Sequence, residues 1–309
     1  MPRPVARALS LVLVATLVGG CGLGSKDAQA KRIRASLTAA EAASPVTGSV
    51  TFELELDREA AAELAPDQRA QLETALAASA AAGNPTLKAA TGIDSSTKRA
   101  VVTFEGTEEP AAVFVDTQLF TKRRNARATE RRTWARLDIM DPLTEERPID
   151  LREMTPPQTL TAAATTLSPV HIVELIEGTL TGSVKAKGNE AIGEVQVARF
   201  DMNISLDKAM KELDFDDEQR EARLRLIRLL GSRNDVLPAR AWIDDQGRLR
   251  RFEVELDQRV TRRRTNHLKV RLDLDTFGAP VAIEPPSNEV TVTYERFGRL
   301  VRSVLPEES

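Results

Sequence analysis

The sequence predicts an α+β chain: an antiparallel β-sheet with one wetted face, backed by separate helices. Three observations predict it. Apolar and polar residues alternate strictly in several separate stretches, the pattern of strands with one buried side. Helical stretches with capping residues punctuate these strands rather than following each one in turn. Aromatic residues make up only 4% of the 309, so the buried sides have to be built from Val, Leu, Ile and Ala. A parallel α/β core would instead read as continuous apolar runs.

The N-terminal elements come first. Arg3 and Arg7 precede an apolar stretch from Ala8 to Val18, interrupted by Ser10 and Thr16, and Gly19-Gly20 lead into Cys21. The stretch is shorter than the ~20 residues a membrane-spanning helix needs, so residues 1–20 read as a signal peptide. Leu17-Val18-Gly19-Gly20-Cys21 resembles a bacterial lipobox. That resemblance implies cleavage before Cys21 and a diacylglycerol thioether on its sulfur. The alternative is an ordinary secretory signal with a Cys nearby by chance; against it, Cys21 is the only Cys in the chain. The expected protein is exported and lipid-anchored to the outer face of the cell membrane. No second apolar run approaches transmembrane length, so the body is anchored and does not span.

Residues 21–27 form a tether, and a single domain is expected over 28–290. It opens with a helix from about Ala28 to Ala43, with Ile33, Leu37 and Ala40 on one stripe. Val50 to Asp57 alternates as a strand. Residues 58–83 are Ala-rich and helical by propensity, broken at Pro66 and ended by Gly83. Weaker strands read at Ala100–Phe104, Ala112–Val115, Gln118–Lys122, Thr133–Ile139, Leu180–Lys185 and Pro238–Asp244. Thr155-Pro156-Pro157 has the composition of a boundary, but strands on both sides favour one continuous sheet. Ser168-Pro169 caps a helix ending at Gly178, and Asp216 to Leu230 reads as another. Phe200, Met202, Ile204 and Leu206 alternate with polar residues, as do Phe252, Val254 and Leu256, and then Leu268, Val270, Leu272 and Leu274. Asp245-Gln246-Gly247 is a turn, making Ala239–Asp244 and Arg248–Asp257 a hairpin. Residues 291–309 are assigned to a C-terminal tail.

Composition excludes much chemistry. With 43 basic and 46 acidic side chains the net charge is −3, and without residues 1–20 it is −5, so no global positive field favours nucleic acid. Scarce aromatics argue against base-stacking platforms. One Cys and two His offer little for a zinc cluster or acid–base catalysis; no cofactor and no metal are expected. His171 sits on a capped helix among apolar neighbours, and His267 has no partner at ligand spacing. Ser183, Ser205 and Ser232 lack a nucleophile-elbow setting. The acidic pairs Glu108-Glu109, Asp216-Asp217 and Asp244-Asp245 fall in turns or helix starts, where carboxylates meet backbone N–H groups. Two basic clusters remain. One runs through Lys122, Arg123, Arg124, Arg127, Arg131, Arg132 and Arg136. The other holds Arg259, Arg262, Arg263, Arg264, Lys269 and Arg271. They read either as a surface for anionic headgroups or as solvated hairpin tips balanced by Glu.

Two stretches carry a family likeness. Residues Leu237-Pro238-Ala239-Arg240-Ala241-Trp242-Ile243-Asp244-Asp245-Gln246-Gly247-Arg248-Leu249-Arg250-Arg251 resemble an LPV-x-VW-x-D-x-x-G-x-x-RR hairpin. Thr276-Phe277-Gly278-Ala279-Pro280-Val281-Ala282-Ile283-Glu284-Pro285-Pro286 resembles an FG-x-PV-x-I-x-PP terminus. In that order behind a lipobox, they resemble the actinobacterial LppX–LprAFG lipoproteins, relatives of the carriers LolA and LolB. Val113 to Phe120 resembles that family's central hairpin, with Thr117-Gln118 in place of its usual Gly. The Ala-rich insertion 58–83 and the tail 291–309 depart from the pattern.

The resemblance implies a strongly curved antiparallel half-barrel whose concave face is covered by helices. It further implies an acylated lipid or lipoglycan held between sheet and helices, with an envelope transporter as partner. The residues that would line such a cavity are Phe200, Met202, Ile204, Leu206, Leu268, Val270, Leu272 and Leu274; the same residues would serve equally as a close-packed core. Three function classes follow: a membrane-anchored lipid carrier without a bond-making step, an RseB-like sensor lipoprotein that binds a protein partner, and an enzyme. An apolar cavity favours the first, an exposed apolar patch the second, and convergent polar groups in a pocket the third.

Overall fold

The computed structural model describes residues 26–55, 70, 73, 85–123, 130–138, 156–169, 172, 184–206, 208, 216–218, 220–221, 224, 236–259, 265–294 and 300. Cys21, the signal stretch and nearly all of 58–83 lie outside them, as do His171, Ser183, Ser232 and most of the two helices expected at 168–178 and 216–230. Ala70, Glu73, Ile172, Asp217, Glu218, Arg220, Glu221 and Leu224 are helical where described.

The described chain forms one open, mostly antiparallel sheet of twelve strands. The strands are β1 (Val46–Glu55), β2 (Thr86–Asp94), β3 (Arg99–Phe104), β4 (Ala112–Val115), β5 (Gln118–Lys122) and β6 (Trp134–Asp138). After them come β7 (Lys185–Ile192), β8 (Val195–Ser205), β9 (Val236–Asp244), β10 (Leu249–Arg259), β11 (Thr265–Phe277) and β12 (Thr291–Thr293). Their order is β12-β6-β5-β4-β3-β2-β1-β11-β10-β9-β8-β7. Two meanders, β1 to β6 and β7 to β11, are thus spliced where β1 pairs with β11, and β12 adds a parallel strand beyond β6. Residues 291–293, assigned from sequence to the tail, are this added strand. Leu300 beyond it is buried in the main core.

Local chemistry accounts for the turns. Asp116, not glycine, takes the left-handed position (φ 50°) in the β4–β5 hairpin, a conformation its short side chain tolerates. The β9–β10 hairpin closes with Gly247 at φ 78°. At Gly48 a β-carbon would run into the carbonyl of Asp273, at the point where the β1–β11 register shifts. Glycine is what lets the two meanders approach there.

Two helices are described along their whole backbone, α1 (Lys26–Ala42) and α2 (Pro156–Thr166). The Pro-Pro stretch, which has the composition of a boundary, is a helix start, with proline where the first-turn N–H has no partner to lose. α1 packs over β7, β9 and β10, and α2 over β1, β2 and β4. Ile33 of α1 and Leu160, Ala162, Ala163 and Ala164 of α2 join one cluster with the apolar side of the sheet. The side chains of Leu37 and Ala40 lie outside the description. A second, smaller cluster of Val113, Phe120 and Ile283, with Val101, Val115, Trp134 and Val281 against it, lies on the opposite face.

Candidate functional site

Strand register assembles the apolar face row by row. Phe200, Ala241, Phe252, Leu272, Val50, Ala89 and Phe104 are successive cross-strand partners from β8 to β3. Beside them run Met202, Ala239, Val254, Val270, Phe52 and Leu87. Cross-strand partners share a face, so Phe200, Met202 and Ile204 lie on the same side as Leu268, Val270, Leu272 and Leu274. All of these and Leu206 are buried: Ile204, Leu268, Val270 and Leu272 are 0% exposed and Met202, the most exposed, only 5%. The structure brings the eight sequence-chosen residues into one cluster and covers them.

At the rim of this face α1 is tied to the sheet by polar contacts. Arg32 lies over the Phe200 ring, 5.5 Å from its centroid. The Ala186 amide of edge strand β7 donates to Gln29 Oε1 at 3.0 Å. Both hold the start of α1, a few residues beyond Cys21, against the β7–β8 edge.

The other face of the same strands is ionic. Asp201, Arg240, Glu253 and Arg271 are cross-strand neighbours. Arg240 pairs with Glu253 (3.3 Å) and Glu255 (3.1 Å), and Arg199 with Asp201 (2.9 Å). Trp242 sits between the guanidinium groups of its neighbours Arg199 and Arg251, each 5.7 Å from the ring, and its indole N–H donates to Glu190 at 2.6 Å. Oppositely charged residues facing each other across strands stabilise modestly, and they keep this face wet.

Where the β9–β10 hairpin closes, the Asp244 side chain is 0% exposed. It accepts from the Arg248 amide (2.8 Å), Arg248 Nε (2.9 Å) and Arg250 Nε (2.8 Å). Burial alone would push this carboxyl up, but the Arg248 amide and the Arg250 and Arg248 side chains outweigh it and hold it below the ordinary aspartate value. Both guanidinium groups also lie over Phe277, at 5.2 and 5.1 Å. Of the conspicuous acidic pair at 244–245, Asp244 is therefore a fastening of the turn, and Asp245 is exposed.

Other sequence candidates fall in place on the surface. His267, expected before a strand, is inside β11 and faces Asp257 across the hairpin at 2.8 Å. Among the described residues no group of three His, Cys, Asp or Glu side chains could hold a metal. Members of the first basic cluster find partners: Lys122 meets Glu109, Arg123 Glu130 (2.9 Å), Arg131 Glu289 (2.6 Å), and Arg136 Thr293 (2.9 Å). From the second, Lys269 pairs with Glu53 (3.9 Å) and Arg271 with Asp273 (3.4 Å). Arg124, Arg127 and Arg262 to Arg264 lie outside the described residues. Val236 is the one large apolar side chain that is exposed among the described residues.

Sequence reasoning missed β2, α2 and the second cluster. In Thr86–Asp94 the inward residues are Leu87, Ala89, Thr91 and Ile93, and Ala and Thr carry too little contrast to register as alternation. The second cluster did leave a signal: Ala112 to Val115 is apolar at every position, the mark of a strand buried on both faces.

No protein-family model matches the chain, and no curated protein matches it. Solved structures do. The crystal structure of the Mycobacterium tuberculosis lipoprotein LppX aligns over 83% of this chain and 98% of its own, at 12% identity and a TM-score of 0.39. LprF from Mycobacterium bovis aligns over 86% and 100%, at 15% identity and a TM-score of 0.37. Both names fall in the group that the hairpin and terminal motifs resemble.

Proposed function

We propose that this protein is an envelope lipoprotein that binds and carries an acylated lipid or lipoglycan, with the ligand's chains lying between the sheet and the helices of a half-barrel. The observation that carries the reading is the apolar face: two unbroken cross-strand rows of Val, Leu, Met, Ala and Phe, seven and six strands wide, with the charged side chains of those strands kept to the far side. Such a surface suits saturated hydrocarbon, which needs area and offers no hydrogen bonds. The face is covered in the chain as described, so a ligand has to replace contacts made by the cover. Helix α2 suits that exchange, because its Ala and Thr side chains bring little volume to the interface. In this reading Cys21 carries the diacylglycerol anchor and the tether holds the β7–β8 end near the membrane.

Native mass spectrometry tests both parts at once. Protein released gently from membranes is expected to carry a covalent diacylglycerol mass that disappears in Cys21→Ala, and a non-covalent lipid mass retained in both. A lipid-free, unmodified wild-type chain would contradict the proposal.

A further inference from the structure

One row of the apolar face differs from the rest. Running from β11 to β6, the successive partners are Leu274, Gly48, Thr91, Val102, Ala112, Thr121 and Ala135. Beyond Leu274 no member is larger than valine, whereas the row beside it holds Val46, Ile93, Ala100, Phe114, Leu119 and Leu137. Six strand spacings make the low row about 29 Å long. Helix α2, itself Ala- and Thr-rich, packs over β1, β2 and β4, which the row crosses.

Small residues alone would only let a helix approach a sheet closely. The hydroxyl groups say more. Thr91 Oγ1 donates to the Val101 carbonyl at 3.0 Å. Thr121, 0% exposed, has an Oγ1 with no hydrogen-bond partner. Its cross-strand neighbours on either side are alanines, Ala112 and Ala135, so the hydroxyl stands in a low spot on the apolar face. A buried hydroxyl without a partner is costly, and valine would fill the same volume without that cost.

We infer that the low row is a ligand groove and that Thr121 is its polar end, donating to the ester carbonyl of an acyl lipid whose chain runs along the row toward Leu274. The inference rests on the lipid-carrier reading and makes it specific: the ligand is an ester-bearing acyl lipid, oriented with its ester at β5 and its chain toward β11.

The test is displacement of the apolar fluorophore phenylnaphthylamine from wild type, Thr121→Val and Thr121→Ser by two probes, dipalmitoylglycerol and its dihexadecyl ether analogue, which lacks ester carbonyls. Wild type and Thr121→Ser are expected to prefer the ester about three- to tenfold, the size of one net hydrogen bond. Thr121→Val is expected to bind the two equally, with ether affinity unchanged and a melting temperature no lower than wild type. Equal affinities in wild type, or a preference that survives in Thr121→Val, would overturn the groove assignment while leaving the carrier reading intact. Failure of both probes to displace the fluorophore from wild type would overturn the two together.

Discussion

The two ends of the sheet obey the same alternation but are closed differently. From β8 to β11 each strand is apolar on one side and mainly ionic on the other, so the apolar burial of this half lies on the covered face, with cross-strand ion pairs and Trp242 on the far side. From β3 to β5 the second side carries an apolar patch as well, made of Val101, Val113, Val115 and Phe120. The second side is covered by the chain after β11: Val281 and Ile283 pack on Val113 and Phe120, and Arg99 Nη1 donates to the Ile283 carbonyl at 3.3 Å. That strap then runs to β12, which pairs with β6 and protects an edge that would otherwise be open. The difference teaches which half of the sheet tolerates rearrangement of its cover. A half buried on both sides keeps its strands in place when one cover moves. A half buried on one side offers the widest apolar area but depends on whatever lies against it.

This contrast can be broken in order of expected effect. Phe252, fully buried at the centre of the one-faced half, is expected to cost about 3–5 kcal/mol when changed to Ala, read as a drop in denaturation midpoint. In a ligand-bound sample the loss should be smaller, because the acyl chain fills part of the space.

Asp244 fastens the turn end of that half. Its carboxyl lies below the ordinary aspartate value, so its stabilising contribution is fully present above about pH 4, the unfolded value, and is lost as pH falls through the lower folded value. Asp244→Asn is expected to cost roughly 2–3 kcal/mol at neutral pH, with the gap to wild type closing as denaturation is followed into acid. A gap independent of pH down to acid unfolding would contradict this.

In the two-faced half the strap rests on a missing side chain. A β-carbon at Gly92 would collide with Cγ1 of Val281. Gly92→Ala is therefore expected to cost about 1–3 kcal/mol by overpacking, and the double variant with Val281→Ala should recover part of it. Equal and additive losses would mean that the two positions do not meet.

Much of this was legible in the sequence, for a physical reason. Where one face is wet, as in Phe200 to Leu206 or Leu268 to Leu274, charged residues write the strand phase into the chain, and the register followed that phase. Ala112–Val115 and Gln118–Lys122 were delimited to the residue because turn chemistry brackets them. What was lost lies where contrast is low. β2 turns Ala and Thr inward, α2 is built of Ala and Thr behind two prolines, and β7 is an exposed edge that uses both sides for solvent. The second cluster was hidden because its cover is a strap without secondary structure, joined to its strands only in three dimensions. The low row with Thr121 was invisible for the same reason: its members are drawn from separate strands, and only the register lines them up.

The claim that the apolar face receives acyl chains is tested most directly by photo-crosslinking with a palmitoyl probe carrying a diazirine, with adducts read at single-residue resolution. Adducts are expected on inward positions such as Phe52, Val254 and Val270 and not on their outward neighbours Glu253, Lys269 and Arg271. Adducts on the charged face, adducts without preference for either face, or none at all would contradict the account.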